Sequence, residues 1–185
     1  WAFIDRSDSF YPPDTTGAGI EQQREVYNAL CASFHAGYPE GVSSSDSAIQ
    51  SATYPIPIRT YVSADSKETA KVIYFHGGGY VVGGLESHDD VCAEICGRTG
   101  YCVISVDYRL SPEHNYPADF QDALVAFQSI AADAGGKIVL CGDSAGANLA
   151  AAVCHATKND AVKPDGQVLI YGAFGSDLDH GTYIT

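Results

Sequence analysis

The sequence predicts an α/β protein with a mostly parallel sheet covered by helices. Three observations carry this expectation. Four apolar runs, Val72–Phe75, Tyr101–Val106, Ile138–Cys141 and Val168–Tyr171, are continuous rather than alternating, as strands buried on both faces are. Segments of helical character near 88–98, 117–132 and 145–158 separate those runs, the alternation expected of a parallel sheet with helices on its faces. Glycine clusters follow two of the runs directly, at 77–79 and 142–146. In such sheets function gathers at the carboxyl ends of the strands.

Taken in order, residues 1–16 read as irregular, with the turn-forming Tyr11-Pro12-Pro13-Asp14. From Ile20 to His35 the pattern is helical: Val26, Tyr27, Leu30, Cys31 and Phe34 recur at three- and four-residue steps, until Gly37 and Pro39 stop it. Residues 40–48 read as a serine-rich loop. Ile56, Ile58, Thr60 and Val62 then alternate with other residues as in a half-buried strand, and Pro55 and Pro57 suit only an edge position. The parallel units begin after Lys71. Residues 1–45 therefore form a helical appendage and 46–185 the sheet-bearing core, with no sharp boundary between them.

The 185 residues, 45% hydrophobic and 18% charged, suffice for one domain with a sizeable core and exclude a disordered or collagen-like chain. No apolar run approaches the ~20 residues of a membrane helix. Lys and Arg number 10 against 23 Asp and Glu, a net charge of −13, which repels phosphate backbones and argues against a nucleic-acid partner. The chain starts at Trp1 and holds no Met, so a processed start or a fragment is expected, and no secretion signal is visible. Six cysteines would allow three disulfides in a secreted protein. Free thiols are the preferred reading: Cys102 and Cys141 sit in strand-like runs and Cys154 in an alanine-rich helix, as small buried hydrophobes do. That implies a reducing, cytoplasmic setting. Cys92 and Cys96 share a helix face but lack further ligands nearby, so no metal site is expected.

The strongest chemical signal is Gly142-Asp143-Ser144-Ala145-Gly146, which ends a strand and opens a helix. A G-x-S-x-G in that context is a nucleophile elbow: the turn is sharp enough to strain the serine, expose its hydroxyl and demand small flanking residues. The helix start behind Ser144 offers free N–H groups to a developing oxyanion. The second signal is His76-Gly77-Gly78-Gly79, directly after the run 72–75. Three glycines let the backbone turn its N–H groups toward a charged oxygen. No G-x-G-x-x-G or Walker pattern accompanies them, which disfavours a nucleotide site.

Together with Tyr80, Ser87-His88-Asp89, Asp107-Tyr108-Arg109-Leu110-Ser111-Pro112-Glu113 and Ala147, these motifs closely resemble the hormone-sensitive-lipase-like family of α/β-hydrolases, nearest to bacterial acetyl esterases. The resemblance runs from about residue 17 to the end. It implies an α/β-hydrolase fold with residues 1–45 as part of an N-terminal cap, and a carboxylester hydrolase of short acyl esters that needs no cofactor. Carried over residue by residue, Ser144 is the nucleophile and the N–H groups of Gly78, Gly79 and Ala145 form the oxyanion hole. His76, Gly77 and Asp143 support the motifs. Asp107, Arg109 and Glu113 are read as a buried, salt-bridged turn, and Tyr80 and Phe34 as candidates to shape the pocket.

The family's order is Ser, then acid, then His after two further strands, whereas this chain ends at Thr185. The expectation is a chain that stops before the triad acid and base. Downstream of Ser144 stand only His155, three turns along the same helix, and His180, beside Asp177 and Asp179, a poor match to a triad. The same residues also fit a non-enzymatic binder, as in the family's plant hormone receptor, and an amidase or peptidase on the same fold. The expected partner is a small ester; homo-oligomerisation is left open.

Overall fold

The computed structural model describes residues 2–11, 17–67 and 69–175. Two helices come first, α1 (Ala2–Asp8) and α2 (Ile20–Phe34), then strands β1 (Val42–Ile49), β2 (Ile56–Ser63) and β3 (Ala70–Phe75). Helix α3 (Asp89–Thr99), β4 (Cys102–Val106), α4 (Ala118–Ala132), β5 (Lys137–Asp143), α5 (Ala145–Thr157) and β6 (Gly166–Ile170) follow. The six strands form one sheet in the order β1-β2-β4-β3-β5-β6. β1 and β2 are antiparallel to each other, β2 is antiparallel to β4, and the remaining pairs are parallel.

The continuous apolar runs have a simple cause: both faces of the parallel strands are covered. Ile73 and Phe75 of β3 join Phe127, Leu140, Leu149 and Val153 in a core shared with α4 and α5. Val72 and Tyr74, one residue out of step, pack on the opposite face with Cys92, Cys96 and Cys141 beside α3. The chain leaves β3 through α3 toward β4, and leaves β5 through α5 toward β6, in opposite directions along the sheet. Adjacent strands with diverging connections open a crevice at their carboxyl ends. The loops after β3 and β5 meet there.

Three expectations need correction. Residues 40–48 are not a loop: β1 pairs along its whole length, Val42 with Ser63 through Ile49 with Ile56. Only Ile49 of that strand is buried, so no apolar alternation announces it, and its serines and Asp46 suit an exposed sheet edge. β2 is therefore an interior strand. Pro57 is tolerated because its carbonyl accepts from the Asp107 N–H at 3.0 Å, which places its donorless nitrogen beyond the last β2–β4 pair, Ile58 with Val106. Residues 2–8 are helical rather than irregular. Seven residues are too few for a readable period, and α1 is held from outside, by Phe3 against Phe34 at 4.8 Å and the Arg6 guanidinium over the same ring at 4.5 Å. The proposed turn at Pro12-Pro13-Asp14 lies outside the described residues.

A polar knot fastens the linker after α2 to the sheet. Asp89, at the start of α3, accepts from Tyr38 Oη (2.7 Å), Tyr61 Oη (2.8 Å), Arg59 Nη1 (2.9 Å) and His35 Nε2 (3.2 Å). Burial works against the charged carboxyl, but these donors outweigh it and hold Asp89 below the usual carboxylate range.

Candidate active site

Ser144 sits between the last residue of β5 and the first of α5, with φ 50° and ψ −117°. That is a conformation L-residues avoid, and it persists only where the surroundings force it. The surroundings here are the end of β3. A Cβ on Gly146 would stand 1.9 Å from the Phe75 carbonyl oxygen, and one on Gly142 would stand 2.5 Å from Gly146 carbonyl atoms and 2.7 Å from the same Phe75 oxygen. The flanking glycines thus let α5 begin directly against β3. From the other side the Ser144 N–H donates to the Ile170 carbonyl of β6 at 2.9 Å.

The loop after β3 is equally constrained. Gly78, Gly79 and Tyr80 have φ of 123°, 61° and 65° in succession. A Cβ on Gly78 would lie 2.0 Å from the Val82 carbonyl oxygen. Among the described residues the N–H groups of Gly78, Gly79 and Ala145 donate no hydrogen bond to another protein group, so they remain available to a ligand oxygen. Gly77 differs: its N–H is taken by Asp143 Oδ1 at 2.9 Å.

His76 is fully buried and turns back into its own loop, with Nδ1 2.7 Å from the Gly77 carbonyl. Its ring stacks on Tyr108 at 4.3 Å, and Tyr108 Oη donates to the His76 carbonyl at 2.6 Å. Burial, opposed by the bond to Gly77, pushes the imidazole down to about 4, so it is neutral near pH 7. The other described histidines are also placed elsewhere than on Ser144. His35 meets Asp89, His88 meets Asp143, His114 lies beside Tyr54, and His155 approaches Lys158. Asp177, Asp179 and His180 lie outside the described residues.

The segment after β4 is tied down by ion pairs, and their partners lie on two helices outside the turn. Arg109 pairs with Asp122 of α4 (Nη2 to Oδ1, 2.7 Å), and Glu113 pairs with Arg24 of α2 (2.8 Å). Arg24 also donates to the carbonyls of Val81 and Ser111, so one side chain binds α2 to both loops that border the crevice. Asp107 has no ion-pair partner among the described residues. Burial raises its carboxyl to about 6, with Arg59 pulling the other way. A carboxyl raised in the folded state contributes stability when protonated. That contribution is full below the unfolded value of ~3.9 and is lost as pH climbs through about 6. Asp107→Asn should therefore match the parent near pH 4 and exceed its stability by about 3 kcal/mol at pH 8. Urea unfolding at the two pH values checks this.

Beside the elbow lies a largely apolar cleft of about 560 Å³, lined by Tyr80, Tyr116, Phe120, Asn148, Leu149 and Ala152. Tyr80 follows the glycine loop directly, and Asn148 stands one helical turn after Ser144 on the same side of α5. The Asn148 Oδ1 is buried without a hydrogen-bond partner among the described residues. Phe34, by contrast, packs against α1. The sequence reading assigned no role to Tyr74, His88, Arg24 or Asn148. The motif Ser87-His88-Asp89 was visible, but nothing local revealed what its histidine touches. No helix among the described residues is long and apolar enough to cross a membrane, and no group of three metal-ligating side chains occurs among them.

Comparison with known proteins places these features in a family. Residues 72–183 match the family Abhydrolase_3, described as alpha/beta hydrolase fold. Esterase LipI of Mycobacterium tuberculosis is 40% identical over 124 residues, 62% of this chain and 38% of that protein. Ethyl acetate hydrolase of Pseudomonas putida is 36% identical over 129 residues, 64% of this chain and 41% of that protein. The chain thus spans well under half the length of either relative. The solved structure of an esterase from Pyrobaculum calidifontis superposes with a TM-score of 0.81 at 34% identity, over 92% of this chain and 58% of that one. With that family match covering more than half of its residues, the chain belongs to the Abhydrolase_3 family of α/β-hydrolases, the hormone-sensitive-lipase-like group that its motifs resemble.

Proposed function

We propose that the protein is a serine carboxylesterase that cleaves short-chain acyl esters through an acyl-enzyme on Ser144. The observation that carries this is the backbone of Ser144, held at φ 50° and ψ −117° at a strand-to-helix turn that abuts the Gly78-Gly79 loop. Such strain persists at functional sites because the surrounding packing over-determines it. Preference for a small acyl group is supported by the likeness to a relative named ethyl acetate hydrolase.

In the reaction Ser144 Oγ attacks the ester carbonyl carbon and gives its proton to a histidine supplied from outside the described residues. The carbonyl oxygen becomes an oxyanion, stabilised by the N–H groups of Gly78, Gly79 and Ala145. The intermediate collapses, the C–O bond to the alcohol breaks, and the histidine returns the proton to the leaving alkoxide. Water, deprotonated by the same base, then releases the acid and restores Ser144. The apolar cleft beside Asn148 takes one of the two ester substituents.

Treating the natural full-length protein with a fluorophosphonate and mapping the adduct by mass spectrometry tests this reading. The expected result is a single adduct on Ser144, formed more slowly while excess p-nitrophenyl acetate is present, and hydrolysis that falls as the acyl chain lengthens. Labelling at a different serine, or binding of esters without turnover, would refute it.

A further inference from the structure

The Asp143 carboxylate is the meeting point of the elbow and the glycine loop. Its Oδ1 accepts from Tyr74 Oη (2.8 Å) and the Gly77 N–H (2.9 Å) and faces His88 Nε2 at 3.3 Å, and its Oδ2 accepts from Tyr171 Oη at 3.3 Å. The packing is close: a Cβ on Gly77 would fall 2.1 Å from Asp143 Oδ2. Asp143, His88, Tyr74 and His76 are all buried, so water does not substitute freely for a lost partner. His88 is itself fixed from behind. With the ring proton on Nε2, facing Asp143, its Nδ1 accepts from Ser87 Oγ at 2.8 Å, and the Ser87 oxygen in turn accepts from the Gly84 N–H at 3.0 Å. A connected line therefore runs from the Gly84 turn through Ser87 and His88 to Asp143, and from Asp143 to Gly77, the residue before the first oxyanion donor.

We propose that His88 is a positioning residue for the oxyanion hole: by gripping Asp143 it fixes the carboxylate that holds Gly77, and so sets where the Gly78 and Gly79 N–H groups stand relative to Ser144. This rests on the reading of Ser144 as nucleophile and of those N–H groups as oxyanion donors. Asp143 suits the task because it is the immediate neighbour of Ser144 in the chain and bonds the other loop through space. An error of about 1 Å in such an arrangement costs on the order of 10²-fold in rate, whereas ground-state binding of the ester depends little on it.

The test compares His88→Leu, His88→Gln and Ser87→Ala in the natural full-length protein. Leu fills the space and removes both ring nitrogens, while Gln can place an amide N–H near the position of Nε2. His88→Leu is expected to lower kcat about 10- to 100-fold with KM changed less than about 2-fold. Affinity for a trifluoromethyl ketone, which forms an oxyanion on the serine, should fall in parallel. His88→Gln should recover most of the loss, and Ser87→Ala should show a smaller loss of the same kind. Assays run well below each variant's melting temperature, so a merely structural role would leave kcat per folded molecule and ketone affinity unchanged. The inference is overturned if folded His88→Leu keeps both, or if its loss appears in KM alone. Where Leu does not fold, a folded Ser87→Ala variant that retains the parent's kcat and ketone affinity overturns it equally. Failure of the parent protein to label at Ser144 is a separate result and would sink the nucleophile assignment instead.

Discussion

Ser144→Ala is expected to lower kcat for p-nitrophenyl acetate by about 10⁴- to 10⁶-fold while KM stays within a few-fold. The size follows from what a serine nucleophile contributes: without it the covalent route is closed, and what remains is the residual catalysis of binding and the oxyanion donors. The substitution leaves the scaffold untouched, because the constraint on residue 144 is in its backbone. The Ser144 N–H still bonds Ile170, and α5 still starts against β3. Ser144→Gly separates the two properties further. Glycine relaxes at φ 50° and ψ −117°, so that variant should be as inactive as the alanine form yet more stable by about 1 kcal/mol. Steady-state kinetics on the full-length protein and thermal unfolding of all three forms check both halves. An alanine variant with more than about a tenth of the parent activity would place the chemistry elsewhere.

What the sequence disclosed follows from what is local. Val72–Phe75 and Ile138–Cys141 were readable as parallel strands because burial on both faces removes the alternation that other strands show. Ser43, Ser44, Ser45 and Ser47 gave no such sign, since β1 is exposed on both faces and is made by its backbone pairing with β2 alone. The elbow and the glycine loop were visible because each is a backbone requirement met by contiguous residues. The contacts that join them were not. Tyr74 meets Asp143 across 69 positions and Gly77 meets it across 66, and no window of sequence contains both partners. One clue existed: Asp143 stands two residues after Cys141, so its side chain shares the α3 face of the sheet, where Tyr74 and the start of α3 also lie. The ion pairs of Arg109 and Glu113 show the same limit. Their charges suggested a salt-bridged turn, but nothing local named the partners, Asp122 and Arg24, which belong to two different helices.

Gly146→Ala should cost about 3 kcal/mol of stability or more and should abolish activity with it. The added methyl would stand 1.9 Å from the Phe75 carbonyl oxygen, 2.5 Å from its carbon and 2.7 Å from the His76 oxygen. All three are backbone atoms at the end of β3, where Phe75 is paired with Val106 of β4 on one side and Gly142 of β5 on the other. No flexible side chain can move aside to make room, so either α5 retreats from the sheet or β3 shifts against both of its neighbours. A retreat of α5 opens the core that Leu149, Ala150 and Val153 share with β3 and β5, and the elbow loses the geometry that exposes Ser144. Gly79→Ala provides the contrast. Its Cβ would meet nothing within 4 Å, so only the cost of a positive φ of 61° remains, about 1 kcal/mol. Urea unfolding of the two alanine variants should rank them in that order by a clear margin. Equal stabilities would mean that the close approach of α5 to β3 is not what the second glycine of the elbow is for.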